Sequence, residues 1–237
     1  MIGILLLVPS LLRSPSTLTP TPILLFFDII SGNLDDSKWC NSLSELLKEK
    51  NIKASVFLTG QIVEKNPRCA SDFTNNLKNI DIGSSTYNYV DLASNIDYSK
   101  ALDEVRLGKS EIINASNVNS SLFKAPYGST NDNIYSLLHR NGITADFSYP
   151  NQYNLFEKNQ FVKYKLNSFI VNSTSIPKLM EEIKEIKEND PIAIEINDTI
   201  SVDTVNEIIS QLDSLGKDFV FSNPSTLTGT ELSSKIK

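Results

Sequence analysis

The feature that most constrains the fold of this chain is residues 23–30, an apolar run interrupted by Asp28. A run of this kind that stops at Ser31 and Gly32 predicts a strand buried on both faces, as in a parallel sheet. In such sheets functional residues lie where strands end, so Asp28 is the first candidate for a site. The competing interpretation is a carboxylate that only caps the following turn.

The rest of the chain alternates apolar strand patterns with amphipathic helix patterns. Further strands are predicted at 54–58, 80–83, 122–125, 143–149, 161–171, 192–197 and 219–221, and helices at 36–50, 98–116, 131–140, 175–188 and 202–215. This alternation predicts an α/β fold, a distorted parallel (β/α) barrel with about seven strands. Because no linker or repeat interrupts it, we predict one domain over residues 19–225 and a polar C-terminal tail over 226–237.

The charge and hydropathy of the chain argue against some classes of binding partner. Its 237 residues carry a formal net charge of −6 without a Lys/Arg cluster, which argues against nucleic acid or an anionic membrane surface as a partner. A neutral or basic partner fits better. The apolar residues make up 40% of the chain and are too dispersed after the N-terminus to form a transmembrane span.

The N-terminus and the sequons favour export. Residues 1–18 predict a signal peptide, because an almost wholly apolar segment precedes small residues, although no Lys or Arg precedes that segment. A buried N-terminal strand is the alternative. Four N-x-Ser/Thr sequons are compatible with a glycoprotein, namely Asn114, Asn119, Asn172 and Asn197.

The state of the two cysteines, Cys40 and Cys69, depends on whether the protein is in an oxidising or a reducing cellular compartment. In an oxidising compartment they can form one disulfide, which would stabilise the fold by roughly 3 kcal/mol through its closed loop. The alternative is two buried thiols.

The sequence gives little support for the common catalytic arrangements of side chains. The single histidine, His139, is predicted in the last turn of a helix, so a Ser/His/Asp triad has no good candidate. Residues 108–110 (GKS) lie inside a predicted helix and cannot form a phosphate loop. One His and two separated Cys exclude a nitrogen/sulfur zinc site. An all-oxygen metal site stays open, with Asp28, Glu195, Asn197 and Asp198 as its ligands.

Five segments carry a family resemblance: FFDII at 26–30, ASVFLTG at 54–60, DIGSSTYNY at 81–89, FKAPYG at 123–128 and IEINDT at 194–199. In this order they resemble the T-F-D-D-G, A-T-F-F-x-x-G, G-N-H-T-x-x-H, R-x-P-Y-G and L-x-H-D motifs of the polysaccharide deacetylases. These are the chitin and peptidoglycan deacetylases of carbohydrate esterase family 4. The resemblance covers residues 23–221 and implies the barrel fold and a metal-dependent N-deacetylation.

The resemblance also assigns roles to positions of this chain. It implies that Asp28 is the general base, and that Ile29, Ser85 and Tyr89 stand where the family has its three metal ligands. Tyr127 is implied to offer a backbone N–H to the oxyanion.

Three further motif positions carry a residue type that differs from the family's, and one motif segment is kept. Lys124 replaces the arginine that supports the base, Glu195 replaces a leucine of the acetate pocket, and Asn197 replaces the histidine that acts as acid. Pro126, Tyr127 and Gly128 are kept.

Loss of every metal ligand and of the acid predicts a pseudoenzyme without a bound cofactor, the family's zinc or similar metal being lost. We expect a secreted, cell-surface or cell-wall protein that binds chitin or another N-acetylated glycan. The residues expected to contact the glycan are Tyr87, Tyr89, Pro126, Tyr127 and Glu195, with Tyr149 and Tyr153 as further aromatic candidates for stacking on sugar rings. The alternatives are an active deacetylase with an atypical site that uses Asp28, Glu195 and Asp198, and a structural or surface-antigen role.

Overall fold

The computed structural model describes residues 19–30, 36–94, 96–171, 176–186, 190–230 and 232–236. The predicted signal peptide, residues 1–18, and the sequon at Asn172 lie outside the described residues.

Strands and helices alternate along the described chain, as the sequence predicts. The strands are β1 (Thr21–Ile29), β2 (Ala54–Leu58), β3 (Ile80–Ser84), β4 (Val118–Ser120), β5 (Leu122–Phe123), β6 (Ala145–Asp146), β7 (Gln152–Glu157), β8 (Gln160–Lys165), β9 (Asn167–Ile170), β10 (Ile192–Asn197), β11 (Phe219–Ser222) and β12 (Ser233–Lys235). The α-helices are α1 (Asp36–Glu49), α2 (Gly60–Lys65), α3 (Arg68–Ser71), α4 (Tyr98–Ser116), α5 (Asp132–Arg140), α6 (Ile176–Glu185), α7 (Val202–Asp213) and α8 (Pro224–Thr228). Short 3₁₀ helices cover Asp72–Asn76 and Pro126–Gly128.

Ten of these strands form one nearly closed, barrel-like sheet in the order β8-β7-β6-β5-β3-β2-β1-β10-β9, with β11 paired to the start of β1. All neighbours in it are parallel except β6–β7 and β7–β8. The predicted α/β barrel is therefore confirmed. Parallel strands need crossover connections, and the helices of the outer layer provide them.

The strand count exceeds the predicted seven because of an antiparallel hairpin, β7–β8. The sequence predicts one extended segment over 161–171, but the chain breaks at Leu166, whose N–H bonds Asn151 O at 3.2 Å, and continues as β9. Lys158 and Asn159 form the two-residue turn of the hairpin, and both have positive φ (49° and 67°). This is the backbone of a type I′ turn, which typically carries Asn-Gly, so the usual sequence signal for a hairpin is missing.

The alternation of side chains along β1 builds two cores. Ile23, Leu25, Phe27 and Ile29 belong to the cluster that contains residues of α1, α6 and α7, between the sheet and these helices. Leu24 and Phe26 point the other way and pack inside the barrel with Phe57 and Phe147. Because strand side chains alternate, Asp28 follows Leu24 and Phe26 on the interior face.

The segment predicted as a polar tail is packed on the domain. Leu232 is buried among the barrel-interior residues, and β12 pairs antiparallel with β4. Ser233 Oγ accepts the Ile82 N–H at 3.2 Å, and the Ser233 hydroxyl donates to the buried Asp81 carboxylate at 3.4 Å. These contacts join the C-terminal segment to β3.

Cys40 of α1 and Cys69 of α3 form a disulfide, and both side chains are buried. Of the two alternatives left by the sequence, the structure therefore has the disulfide. Among the described residues, no helix combines the length and the hydropathy that a membrane span requires.

Candidate functional site

A pocket of about 270 Å³ opens where β1, β5, β9 and β10 end. Its lining combines charged, aromatic and apolar residues: Asp28, Ile30, Tyr89, Lys124, Tyr127, Gly128, Ser148, Pro150, Ile170, Glu195 and Asn197. This is the edge of the sheet at which α/β barrels place their functional residues.

Side-chain alternation explains why these polar groups converge. In β10 the side chains of Ile192, Ile194 and Ile196 pack toward the outer helices, which leaves Glu195 and Asn197 on the interior face. Asp28 lies beside Asn197 in the parallel register of β1 and β10. The two strand ends are tied by Asp198, whose N–H bonds Asp28 O at 3.2 Å and whose carboxylate accepts Ile30 N–H at 3.1 Å.

Lys124 lies between two carboxylates at the floor of the pocket. Its Nζ is 2.7 Å from Asp28 Oδ2 and 3.1 Å from Glu195 Oε2, and all three side chains are largely buried. Burial alone would lower the pKa of Lys124, but the charges of Asp28 and Glu195 outweigh it, so the pKa lies above its usual range. Burial raises the pKa of Glu195, an effect that Lys124 opposes. The lysine therefore remains an ammonium ion at neutral pH.

Two tyrosines close one side of the pocket in an unusual backbone conformation. Tyr89 and Tyr127 have φ of 56° and 59°, a region in which bulky residues are rare. Their rings meet edge to face with centroids 5.3 Å apart. Burial, with a contribution from the Asp28 charge, raises the pKa of Tyr89 to about 12, so its phenol stays protonated.

The turn that carries Tyr127 is held from below by a buried polar network. Ser148 Oγ accepts the N–H of Ala125 at 2.8 Å, and Ser148 in turn donates its N–H (3.1 Å) and its hydroxyl to Asp146. Gly128 has φ of 67°, and a Cβ there would lie 2.9 Å from Ser148 O. The turn thus needs glycine at 128 for both conformation and space.

The comparison with known families fits this geometry. A sequence model of the domain described as "Polysaccharide deacetylase" matches residues 16–145, more than half of the chain. The chain belongs to the polysaccharide deacetylase family. No curated protein matches its sequence.

Solved structures of this family share the fold. One is the wild-type form of a CE4 family pseudoenzyme from Bacillus anthracis, with a TM-score of 0.64 and 15% identity over 88% of this chain and 65% of that one. A mutant of that pseudoenzyme "with restored enzymatic activity" gives a TM-score of 0.64 and 17% identity over 88% of this chain and 67% of the other. A peptidoglycan N-acetylglucosamine deacetylase gives a TM-score of 0.62 and 17% identity over 93% of this chain and 92% of that one. The chain thus spans about two thirds of the length of the pseudoenzyme.

The pocket contains most, but not all, of the positions predicted from the family motifs. Asp28, Tyr89, Lys124, Tyr127, Glu195 and Asn197 line it. Ile29, Ser85, Tyr87 and Pro126 do not. Tyr87 instead donates its hydroxyl to Glu64 of α2 at 2.6 Å.

Of the other aromatic candidates, Tyr149 donates its hydroxyl to Thr130 O, and Tyr153 is buried and stacks on Phe147. Sequence reasoning missed Ile30, Ser148, Pro150 and Ile170 as lining residues. All four lie at or just after the end of a strand, and this position in the sequence could have predicted them as lining residues.

The residues at the metal positions of the family do not fit a metal ion. Ile29 is fully buried in the outer core and alternates away from the pocket. Ser85 is buried and lies outside the pocket lining, and the Tyr89 phenol stays protonated. Lys124 places an ammonium ion 2.7 Å from Asp28 Oδ2, so this carboxylate oxygen is already paired with a side chain of the protein. Within the described ranges, no three His, Cys, Asp or Glu side chains are grouped to hold a metal ion.

Proposed function

We propose that this protein is a catalytically inactive member of the polysaccharide deacetylase family, secreted to the cell surface or wall, that binds an N-acetylated glycan such as chitin in its strand-end pocket. The observation that carries the inactive part is Ile29, which stands at a metal-ligand position of the family and is fully buried in the outer core, away from the pocket.

The chemistry that remains is too weak for amide hydrolysis. An ordinary Asp would have to deprotonate bulk water of pKa ~15.7, a deficit of roughly 16 kcal/mol, compared with roughly 4 kcal/mol for metal-bound water of pKa ~7. The position of the family's acid is held by Asn197, whose Oδ1 accepts the Thr199 N–H at 3.1 Å. An amide cannot protonate a leaving amine.

The pocket rim supports binding of a sugar. Tyr127 and Ile170 are 72% and 71% exposed although both are large and apolar, and they lie beside a polar floor. Aromatic and apolar surfaces that flank convergent polar groups are typical of ligand sites. Solved structures of this fold include both a pseudoenzyme and a deacetylase of peptidoglycan N-acetylglucosamine, which makes a wall glycan the natural candidate.

Secretion is supported by the disulfide, since disulfides persist in oxidising compartments. The sequon residues Asn114 and Asn119 are exposed on α4 and β4 and are accessible to glycosylation. Asn197 lines the pocket, so a glycan attached there would block the site.

The experiment measures acetate release, metal content and oligomer binding on the same preparation. We expect no acetate from an N-acetylglucosamine oligomer, no stoichiometric metal, and no rise in melting temperature with added zinc or cobalt. Binding at 100 Kd would add about 2.7 kcal/mol of stability, an easily visible shift. We also expect measurable binding of the oligomer.

Asp28→Asn is the control for catalysis. Acetate release by the wild type that this variant abolishes would overturn the inactive proposal in favour of an atypical active deacetylase. One equivalent of tightly bound metal would overturn the loss of the cofactor, and absence of any oligomer binding would overturn the glycan-binding role.

A further inference from the structure

The pocket floor carries an excess of one negative charge. Its charged side chains are the Asp28 and Glu195 carboxylates and the Lys124 ammonium. Lys124 engages Asp28 Oδ2 and Glu195 Oε2, and within the described part of the chain no hydrogen bond is made to Asp28 Oδ1 or Glu195 Oε1. One oxygen on each of these largely buried side chains therefore keeps its capacity to accept hydrogen bonds at the pocket.

We propose that this pocket selects a protonated free amino group, so that the sugar seated in it is a de-N-acetylated hexosamine within an otherwise N-acetylated glycan. This inference rests on the glycan binding proposed above and names the sugar that the site prefers.

Hydrogen-bonding capacity favours an ammonium group over an acetamide. An ammonium offers three donors and a positive charge, which match the two free acceptor oxygens and the charge excess. An acetamide offers one N–H and no charge, so it can bond only one of the two free acceptor oxygens and does not offset the negative charge of the floor.

The walls of the pocket and the charge of the whole protein act in the same direction. Tyr89 and Tyr127 are within the same lining, and aromatic rings can attract a cation through their π electrons. The formal net charge of −6 raises the local concentration of a polycationic glycan and leaves a neutral one unaffected. Of these two contributions to the preference for glucosamine, only the one made inside the pocket depends on Glu195.

The test compares three β-1,4-linked pentamers that differ at carbon 2: N-acetylglucosamine, glucosamine and glucose. Affinities are measured by calorimetry on the full chain, in low and moderate salt. We expect the glucosamine pentamer to bind at least about tenfold tighter than the acetylated one, and the glucose pentamer to bind no tighter than the acetylated one. The wild-type comparison tests the amine preference without depending on whether a variant folds, and the variants then test whether the pocket is its source.

Glu195→Gln removes the charge excess with almost no change in shape, and we expect it to reduce the preference to less than about threefold. Asp103→Asn makes the same change of net charge on the exposed face of α4, where Asp103 pairs with Arg106, and it should keep the preference.

Each failure is distinguishable. If the acetylated pentamer binds as tightly as glucosamine or more tightly, the amine preference is overturned while the proposed glycan binding stands. If glucosamine is preferred equally in the wild type and in Glu195→Gln, the attraction is general and the pocket assignment is overturned. If no pentamer binds, both the inference and the proposed glycan binding fail.

Discussion

At the scale of single residues, Asp146 shows how burial sets a pKa beneath the site. It is fully buried and accepts hydrogen bonds from Ser148 and, at 3.3 Å each, from the Thr130 hydroxyl and the Asn154 amide. Burial nevertheless dominates and raises the pKa of Asp146 to about 6. Because the folded pKa exceeds the unfolded value, the stabilising contribution is complete at acidic pH and is lost as pH rises through 6.

We therefore expect the unfolding free energy of the wild type, relative to Asp146→Asn, to fall by about 2 kcal/mol between pH 4 and pH 7. Urea unfolding at several pH values measures this difference. Asp103→Asn, which changes an exposed carboxylate, should run parallel to the wild type over the same range. A constant difference between the wild type and Asp146→Asn would contradict a raised pKa.

Position 29 tests which face of β1 looks into the pocket. Ile29→Asp should lower the unfolding free energy by about 3 kcal/mol or more, because it places an unpaired carboxylate among the apolar residues of the outer core. Ile170→Asp makes the same chemical change at a site that is 71% exposed, and its effect should stay within about 0.5 kcal/mol. Equal, small effects of both changes would show that Ile29 faces solvent or the pocket.

At the scale of elements, the β7–β8 hairpin has a turn in which Lys158 does not suit its positive φ and Asn159 occupies the position that Gly fits best. Replacing Lys158 and Asn159 by Asn and Gly should stabilise the protein by about 1 kcal/mol, since both positions have positive φ. Thermal or urea unfolding gives the comparison. Asn114→Gly, in the interior of α4, should instead destabilise by a few tenths of a kcal/mol. A loss of stability on the turn change would contradict the assigned hairpin.

The same hairpin marks the limit of what periodicity could predict. Strands β2 and β10 coincide with their predicted bounds, because each is a short apolar run with clear breaks on both sides. The hairpin lacks such breaks, and its register depends on a turn without Gly or Pro. Within the site, Asp28 and Glu195 follow from strand ends and alternation, whereas the contact of Lys124 with both carboxylates arises from three distant strands. Tyr87 shows the converse, since its hydroxyl bonds Glu64, a partner that the motif spacing does not reveal.

At the scale of the whole molecule, the Cys40–Cys69 disulfide joins α1 to α3 on the outside of the barrel. Reduction should lower the unfolding free energy by about 3 to 4 kcal/mol, because the unfolded chain regains the freedom of the closed loop. Titration of denatured, unreduced protein should find no thiol, and Cys40→Ala should expose one. Two thiols in the wild type would indicate a reducing compartment and contradict the proposed secretion.

β1 pairs with three strands, and two of them come from the end of the chain: β10 along most of its length and β11 at its start. The first strand of the described residues is therefore among the last of them to be completed. A nascent chain must hold this strongly apolar segment with one edge open until residues 192–222 have emerged, so the barrel can close only after that point of synthesis. For an exported chain this delay is an advantage, since a polypeptide that closes late is still threadable through a membrane channel.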